Sequence, residues 1–354
     1  MEAEVICQRT GSSGVITLNR PKALNALTLS MVRLITKALE DWRHEPAVSR
    51  VIFKSGGGKA FCAGGDIRIL YELGLAGRHA EQLSFWREEY QLNRFMRVYQ
   101  KPIVSLVDGI VMGGGAGLAM HGTHVIAADR FTFAMPEAAI GFFPDVGASF
   151  FLPRLSSHAG TYLALTSAKM DCGDALAFGV ASAHVPSDRL TALEDRLIGG
   201  DDIRSAIASE ASLPPPSQLM PERELMEECF SLQTLSAILG QLDEAGHAGS
   251  DFARSTATSI RLKSPLSLSI ALRQMQLGAR LSIDEALRME FRIANRILTQ
   301  SDFYEGVRAV IVDKDNRPRW NPRSIESVTP RDIDLFFASL TAGELEFDSR
   351  RIAG

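Results

Sequence analysis

Two glycine-rich turns constrain the fold of this chain more than any other feature. "AGGD" (63–66) and "GGGAG" (113–117) each follow a short strand-like segment and precede a stretch able to form a helix. Glycine adopts backbone angles closed to other residues and lets the main chain approach a neighbour or ligand closely. "RVIFKS" (50–55) reads as a short buried strand ahead of the first turn. "PIVSLVDGIVMGGGAGLAMHG" reads as a strand, the second turn and a short helix, and "HVIAADRFTFAMPE" adds two more short strands. Strand pairs alternating with helices predict an α/β class with the turns along one edge. No fixed-period repeat is present, although each strand–strand–helix unit resembles the last in kind.

The flanking segments fit this order. "EVICQRT" and "GVITLNR", separated by "GSSG", read as a hairpin. In "TLSMVRLITKALEDWRH" the residues Met31, Leu34, Ile35, Ala38, Leu39 and Trp42 fall at helical spacing, with Thr28 placed to cap. "FWREEYQLNRFMRVY" (85–99) is a second predicted helix. Three consecutive prolines in "SLPPPSQLMPERE" (212–224) favour an extended linker. The expected organisation is therefore a core over 1–211, a linker over 212–224, and a helical region over 225–354 that completes the fold. In that last region Ala286, Met289, Ile293 and Ile297 form a helical stripe read as core, and Ser282 with Glu285 forms a capping-box pattern. The closing "GELEFDSRRIAG" reads as a frayed end.

Composition narrows the functional classes. A length of 354 residues suits two domains, or one with a substantial appendage, and easily buries a large core. A net charge of -4 points to neither a nucleic-acid nor a membrane-surface partner. Cys7, Cys62, Cys172 and Cys229 form no CxxC pair, which fits a reducing compartment. The first residues have neither an apolar signal core nor Arg-rich amphipathic character, so the cytoplasm is the expected location. His121 and His124 in "HGTH" have only Asp129 following as a further ligand, and no metal site is predicted.

Chemistry-bearing residues cluster around the turns. Unpaired amides at a helix N-terminus favour negative charge, so two such turns facing each other would make an oxyanion hole. Tight turns with no ligand, or phosphate binding, are the alternatives. A Walker loop is absent, and "GGGAGL" lacks the spacing of a dinucleotide fingerprint. Downstream, the apolar run "MPEAAIGFFPDVGASFFLPRL" carries Glu137 and Asp145, which are costly if buried unpaired. Asp145 also sits where it could cap a helix opening at "GASFF", Glu137 could occupy a surface turn, and "REEY" around Glu89 has the look of a solvated helix face.

Four motifs in order, "NRPKALNAL" (19–27), "KAFCAGGDI" (59–67), "VDGIVMGGGAGLAM" (107–120) and "MPEAAIGFFPDVG" (135–147), resemble the crotonase, or enoyl-CoA hydratase/isomerase, superfamily. "FCAGGDIR", "REEYQLN" (87–93), "FLPRL" and "DFYEGVRAVIVDKDNRPRW" (302–320) are most similar to its 3-hydroxyisobutyryl-CoA hydrolase subfamily. The resemblance implies a crotonase (ClpP/crotonase-like) fold of repeated strand–strand–helix turns followed by a helical C-terminal region. It implies an acyl-CoA thioester held with its carbonyl between the backbone amides of Gly65 and Gly114. Carried over by motif, Glu137 and Asp145 become the catalytic acids and Glu89 a substrate contact. Leu24, Ala26, Ala63, Asp66 and Ile67 would line the CoA path. No metal or redox cofactor is implied, since CoA enters as part of the substrate. Lys22, Lys59 and Lys314 are candidate partners for its phosphates. The superfamily implies trimers or pairs of trimers, whereas the longer C-terminal region implies a chain that covers its own site.

Within the superfamily pattern, hydration needs two glutamates around one water, one of them in "GGGxEL". That position is Gly117 here, which leaves Glu137 alone. A lone glutamate beside an oxyanion hole suits acyl transfer, as nucleophile or as base on water, and the resemblance to the hydrolase subfamily implies a thioester hydrolase of valine breakdown. Asp145 would accept a hydrogen bond from the 3-hydroxyl of the acyl chain. Two other readings stay open: a hydratase or isomerase using Glu137 as a single acid/base, and a non-catalytic acyl-CoA-binding protein. Ala148 and Ser149 stand where the subfamily has glycines, an expected narrowing of the pocket floor.

Overall fold

The computed structural model describes residues 3–347. Strands β1 (Val5–Thr10) and β2 (Ser13–Leu18) form the expected antiparallel hairpin, with Val5 opposite Leu18. The turn is shorter than "GSSG", because Ser13 and Gly14 belong to β2. The hydroxyl of Ser13 donates to Leu197 O at 3.0 Å, and a side chain at Gly14 would overlap the Trp42 ring.

From β2 the main sheet continues in parallel through β3 (Arg50–Ser55), β5 (Ile103–Val107), β7 (His124–Ala127) and β9 (Ala183–His184). A second parallel sheet is built from β4 (Ala60–Cys62), β6 (Ile110–Met112) and β8 (Thr132–Ala134). Each long strand is thus followed by a short one that leaves the main sheet, then by helix. Helix α1 (Leu29–Arg43) follows the hairpin, α2 (Ile67–Leu75) and α3 (His79–Arg97) follow β4, and α4 (Gly114–Met120) follows β6. The single strand expected before the second glycine turn is split at Gly109 (φ +135°), where a side chain would strike Lys59 O.

The local causes are those read in the sequence. Thr28 accepts from Met31 N–H, and Met31, Ile35, Ala38, Leu39 and Trp42 face inward, whereas Leu34 of the expected stripe faces solvent at 45% exposure. Strands β3, β5 and β7 are apolar on both faces because both are covered. One face joins the main core. The other packs Ile52, Val104 and Ile126 against Leu193 and Leu197.

After β9 the chain runs without helix over 211–217, where the Asp174 carboxylate accepts from Ser217 Oγ (2.6 Å) and Leu219 N–H (2.9 Å). Helical structure resumes at Met220–Glu222 and Arg223–Phe230. The C-terminal helices include Pro265–Gly278, Ile283–Ile297 and Ser301–Val307, and the Ser282–Glu285 capping box is formed. These helices close back onto the first part of the chain. A side chain at Gly306 would lie 2.3 Å from the Ile140 carbonyl carbon, and one at Gly141 would lie 2.0 Å from Asp302 O. The expected fraying does not hold for 343–347, because Leu345 is buried and Arg87 donates to Gly343 O and Glu344 O. Residues 348–354 of that segment lie outside the described residues.

This contact seats helix Ser301–Val307 directly on the turn that carries Glu137. Gly306→Ala is therefore expected to destabilise the protein by about 1–3 kcal/mol, as overpacking does elsewhere. Denaturant unfolding monitored by circular dichroism measures it.

Candidate active site

The residues from Arg20 to Leu27 are shaped by one buried amide. Asn25 sits at φ 54°, a left-handed conformation that asparagine tolerates. Its Nδ2 donates to Ser55 Oγ, Ala60 O and Phe61 O, and its Oδ1 accepts from Arg20 N–H. That anchoring lays Leu24 and Ala26 beside the first glycine turn, where Ala63 N–H donates to Leu24 O and Leu27 N–H to Gly64 O. Leu27 O in turn accepts from Asp66 N–H at 2.8 Å. Both bonds of this parallel bridge involve the neighbours of Gly65, so the Gly65 N–H points away from Leu27.

The second glycine turn lies across from it. Gly114 opens α4, so its N–H is one of the unpaired donors of a helix start. A side chain at Gly114 would sit 3.3 Å from Gly65 N and 2.5 Å from Glu89 Oε1. A side chain at Gly113 would sit 3.1 Å from Glu137 Oε1. Two amides and two carboxyls therefore converge at a place where only glycine fits.

They line one cavity of about 420 Å³. Gly65, Gly114, Glu89, Glu137 and Asp145 all border it, as do Leu24, Ala26, Ala63, Asp66 and Ile67. Phe85, Trp86, Phe142, Val310 and Ile311 supply apolar wall. Trp86 stacks against Phe142 at 5.3 Å between ring centres, and Phe142 against Phe143 at 4.4 Å.

Burial sets the electrostatics. Glu89, Glu137 and Asp145 are 2%, 5% and 5% exposed. Burial, then the charges of Asp145 and Glu137, holds Glu89 well above the usual carboxylate range. Glu137 is raised in the same way, by burial and by the Asp145 and Glu290 charges. Asp145 is pushed by burial to about 7, opposed by hydrogen bonds from Tyr90 and Trp86, the Tyr90 hydroxyl donating to Oδ2 at 2.9 Å. Glu89 Oε1 and Glu137 Oε2 have no partner among the described residues. Buried polar atoms are rarely left so without a ligand or water to meet them.

Gly117 has a structural cause. A side chain there would lie 2.8 Å from Asn93 Nδ2 and 2.9 Å from Val146 Cβ. The position that carries a glutamate in the hydratase pattern is thus filled from α3 and from the turn after Asp145.

Several expectations are corrected. Asp145 does not cap the helix Ala148–Phe151; the cap position is Gly147, and the Asp145 carboxyl serves Tyr90 and Trp86. Within "REEY" the solvated face belongs to Glu88, which pairs with Arg33 at 2.7 Å, while Glu89 points inward. Ala148 and Ser149 do not narrow the pocket floor, because neither borders the cavity and Ser149 faces Glu290 and Gln274. Lys22, Lys59 and Lys314 are exposed and lie outside the cavity lining, so any contact of theirs with CoA phosphates falls outside it, while Arg68 is a cation of the lining itself. The Asp66 carboxylate pairs with Arg20 at 2.8 Å and accepts from Ile69 N–H, so it anchors the turn. Asp129 pairs with His184, while His121 Nε2 lies 2.7 Å from Val146 O, so "HGTH" and Asp129 do not converge.

Tyr90, Trp86, Glu290 and Gln274 were not singled out from the sequence. A signal for the first two existed, since Trp86, Glu89, Tyr90 and Asn93 share one helix face at the i, i+3, i+4, i+7 spacing of a buried stripe. Glu290 and Gln274 lie far along the chain and carry no motif.

Comparison with known proteins bears on this geometry. A sequence profile described as Enoyl-CoA hydratase/isomerase matches residues 13–337. The 3-hydroxyisobutyryl-CoA hydrolase, mitochondrial, of Rattus norvegicus is 42% identical, covering 98% of this chain and 91% of its own. The Homo sapiens protein of the same name is 41% identical over 97% of this chain and 91% of its own. Among solved structures, a carnitinyl-CoA dehydratase from Mycobacterium thermoresistibile superposes with a TM-score of 0.93 at 36% identity, covering 98% of this chain and 100% of that one. An enoyl-CoA hydratase from Rhodobacter sphaeroides gives 0.90 at 38% identity with the same coverage. With its parallel strand–strand–helix core and near full-length likeness to these proteins, the chain belongs to the enoyl-CoA hydratase/isomerase, or crotonase, family.

Proposed function

We propose that the protein hydrolyses an acyl-CoA thioester, 3-hydroxyisobutyryl-CoA, to 3-hydroxyisobutyrate and free CoA, a step of valine breakdown. One observation carries the choice of hydrolysis over hydration. The space at Gly117 is closed by Asn93 and Val146, so Glu137 has no second glutamate opposite it on α4. The names of the curated relatives support the same reading. The hydratase and dehydratase titles of the structural relatives describe those proteins.

In this reading the thioester oxygen lies between the Gly65 and Gly114 amides, which stabilise the oxyanion as the carbonyl carbon becomes tetrahedral. Such donors are worth about 3–4 kcal/mol each in other acyl-transfer enzymes. Glu137 either attacks that carbon, forming a mixed anhydride that water then opens, or takes a proton from the attacking water. On both routes the C–S bond breaks, CoA leaves as thiolate and water supplies the new oxygen. Asp145, held by Tyr90 and Trp86, accepts a hydrogen bond from the 3-hydroxyl. Glu89 meets the acyl portion with its unpartnered oxygen. Leu24, Ala26, Ala63, Asp66 and Ile67 flank the pantetheine path, with Arg68 at the mouth as a phosphate partner. Neither a metal nor a redox cofactor has a part in this scheme; CoA is substrate. Among the described residues no helix is long and apolar enough to cross a membrane. Four free cysteines suit a reducing compartment, and the cytoplasm is the proposed one, although the relatives' names place them in mitochondria.

The reading is tested by incubating one sample with 3-hydroxyisobutyryl-CoA and with crotonyl-CoA. Thiol release from the first without hydration of the second is expected, and rapid hydration without thiol release contradicts it. Glu137→Gln is expected to lower kcat for thiol release by about 10²–10⁴-fold, the usual span for a lost acid/base group. Unchanged turnover would place catalysis elsewhere. Asp145→Asn is expected to reduce the preference for 3-hydroxylated over plain acyl-CoA; a retained preference would remove its proposed role.

A further inference from the structure

Asp145 lies in a turn that its own sequence disfavours. The next residue, Val146, has φ 56°, a left-handed conformation that costs a β-branched side chain free energy, and Gly147 follows at φ 85°. Such a conformation persists only where the surroundings impose it.

Two fully buried side chains from the C-terminal helices do so. Glu290, on helix Ile283–Ile297, accepts from Gly147 N–H through one oxygen at 2.7 Å and from Ser149 N–H through the other at 2.8 Å. Gln274, on helix Pro265–Gly278, donates through one nitrogen to Pro144 O at 3.0 Å and to Ser149 Oγ at 2.9 Å. The pair therefore brackets Asp145, gripping the residue before it and those two and four places after it. Each oxygen of the Glu290 carboxyl thus meets a separate backbone amide, while burial pushes that carboxyl up to about 8. The ionisable neighbour acting on Glu290 is another acid, Asp145, and a buried acid facing another acid is costly to retain for packing alone.

We propose that Glu290 and Gln274 are positioning residues that aim the Asp145 carboxyl at the hydroxyl of the acyl chain, and so set the preference for 3-hydroxyacyl over plain acyl thioesters. This rests on the reading of Asp145 given above. Glu290→Gln keeps the volume but turns an NH₂ group toward a backbone N–H, so one grip is lost and donor faces donor. Gln274→Met keeps the packing and removes both of its bonds.

The test compares kcat/KM for 3-hydroxyisobutyryl-CoA with that for isobutyryl-CoA, the same chain without the hydroxyl. It uses the wild type, Glu290→Gln, Gln274→Met and Asp145→Asn, each checked for folding by circular dichroism. The ratio is expected to fall about tenfold in Glu290→Gln, the size of one misplaced hydrogen bond, and to fall less in Gln274→Met. If both rates drop together and the ratio stays constant while Asp145→Asn lowers it, Glu290 and Gln274 are structural and the proposal is overturned. If Asp145→Asn itself keeps the ratio, the hydroxyl-reading role of Asp145 fails first and takes this proposal with it. Should Glu290→Gln not fold, Gln274→Met decides, and an unchanged ratio there is the overturning result.

Discussion

Four carboxylic acids buried together, with no ion pair to a cation among the described residues, are the constraint around which this structure is built. Glu89, Glu137, Asp145 and Glu290 lie within the protein, and the charges acting on them are those of one another. Burial of an ionised carboxylate is tolerated only when hydrogen-bond donors replace water. Asp145 receives Tyr90 and Trp86, and Glu290 receives the amides of Gly147 and Ser149. Glu89 and Glu137 each keep an oxygen with no partner among the described residues, on the wall of the same cavity. The glycine turns, the apolar wall and the C-terminal helices are all arranged about that cavity.

The elements close to the site were legible where chemistry and local sequence coincide. The α1 cap at Thr28, the strand β3 and the Ser282–Glu285 box follow from side chains within a few residues of the bond they make. The ten residues assigned by motif all border one cavity, because glycine turns and the "PE" and "PD" dipeptides sit at backbone positions with few alternatives. Residues that act over long separations were not legible. Glu290 reaches back more than a hundred positions to Gly147, and nothing in "RMEFRIA" distinguishes it from a solvated glutamate. The same holds for "REEY", where two adjacent glutamates divide between solvent and core because α3 turns by about 100° per residue.

Gly117 gains a different meaning from its surroundings. As sequence it is an absence, a position without a glutamate. As structure it is occupied space, with Asn93 and Val146 against it. Asn93 lies one helical turn beyond Glu89, so the helix that closes this position also presents a carboxyl to the cavity. The C-terminal helices complete the arrangement: Val310 and Ile311 form wall, and Gln274 and Glu290 grip the Asp145 turn.

Direct titration of the buried acids tests this arrangement most sharply. Carbon-13 NMR of protein labelled at the glutamate side-chain carboxyls, with Glu137→Gln to assign one resonance, reports each ionisation separately. Glu137 is expected to remain protonated well above the usual glutamate value of about 4.3, and to shift downward when Asp145 is replaced by asparagine. A Glu137 resonance that titrates near the ordinary value, indifferent to Asp145, would contradict the buried, mutually coupled cluster.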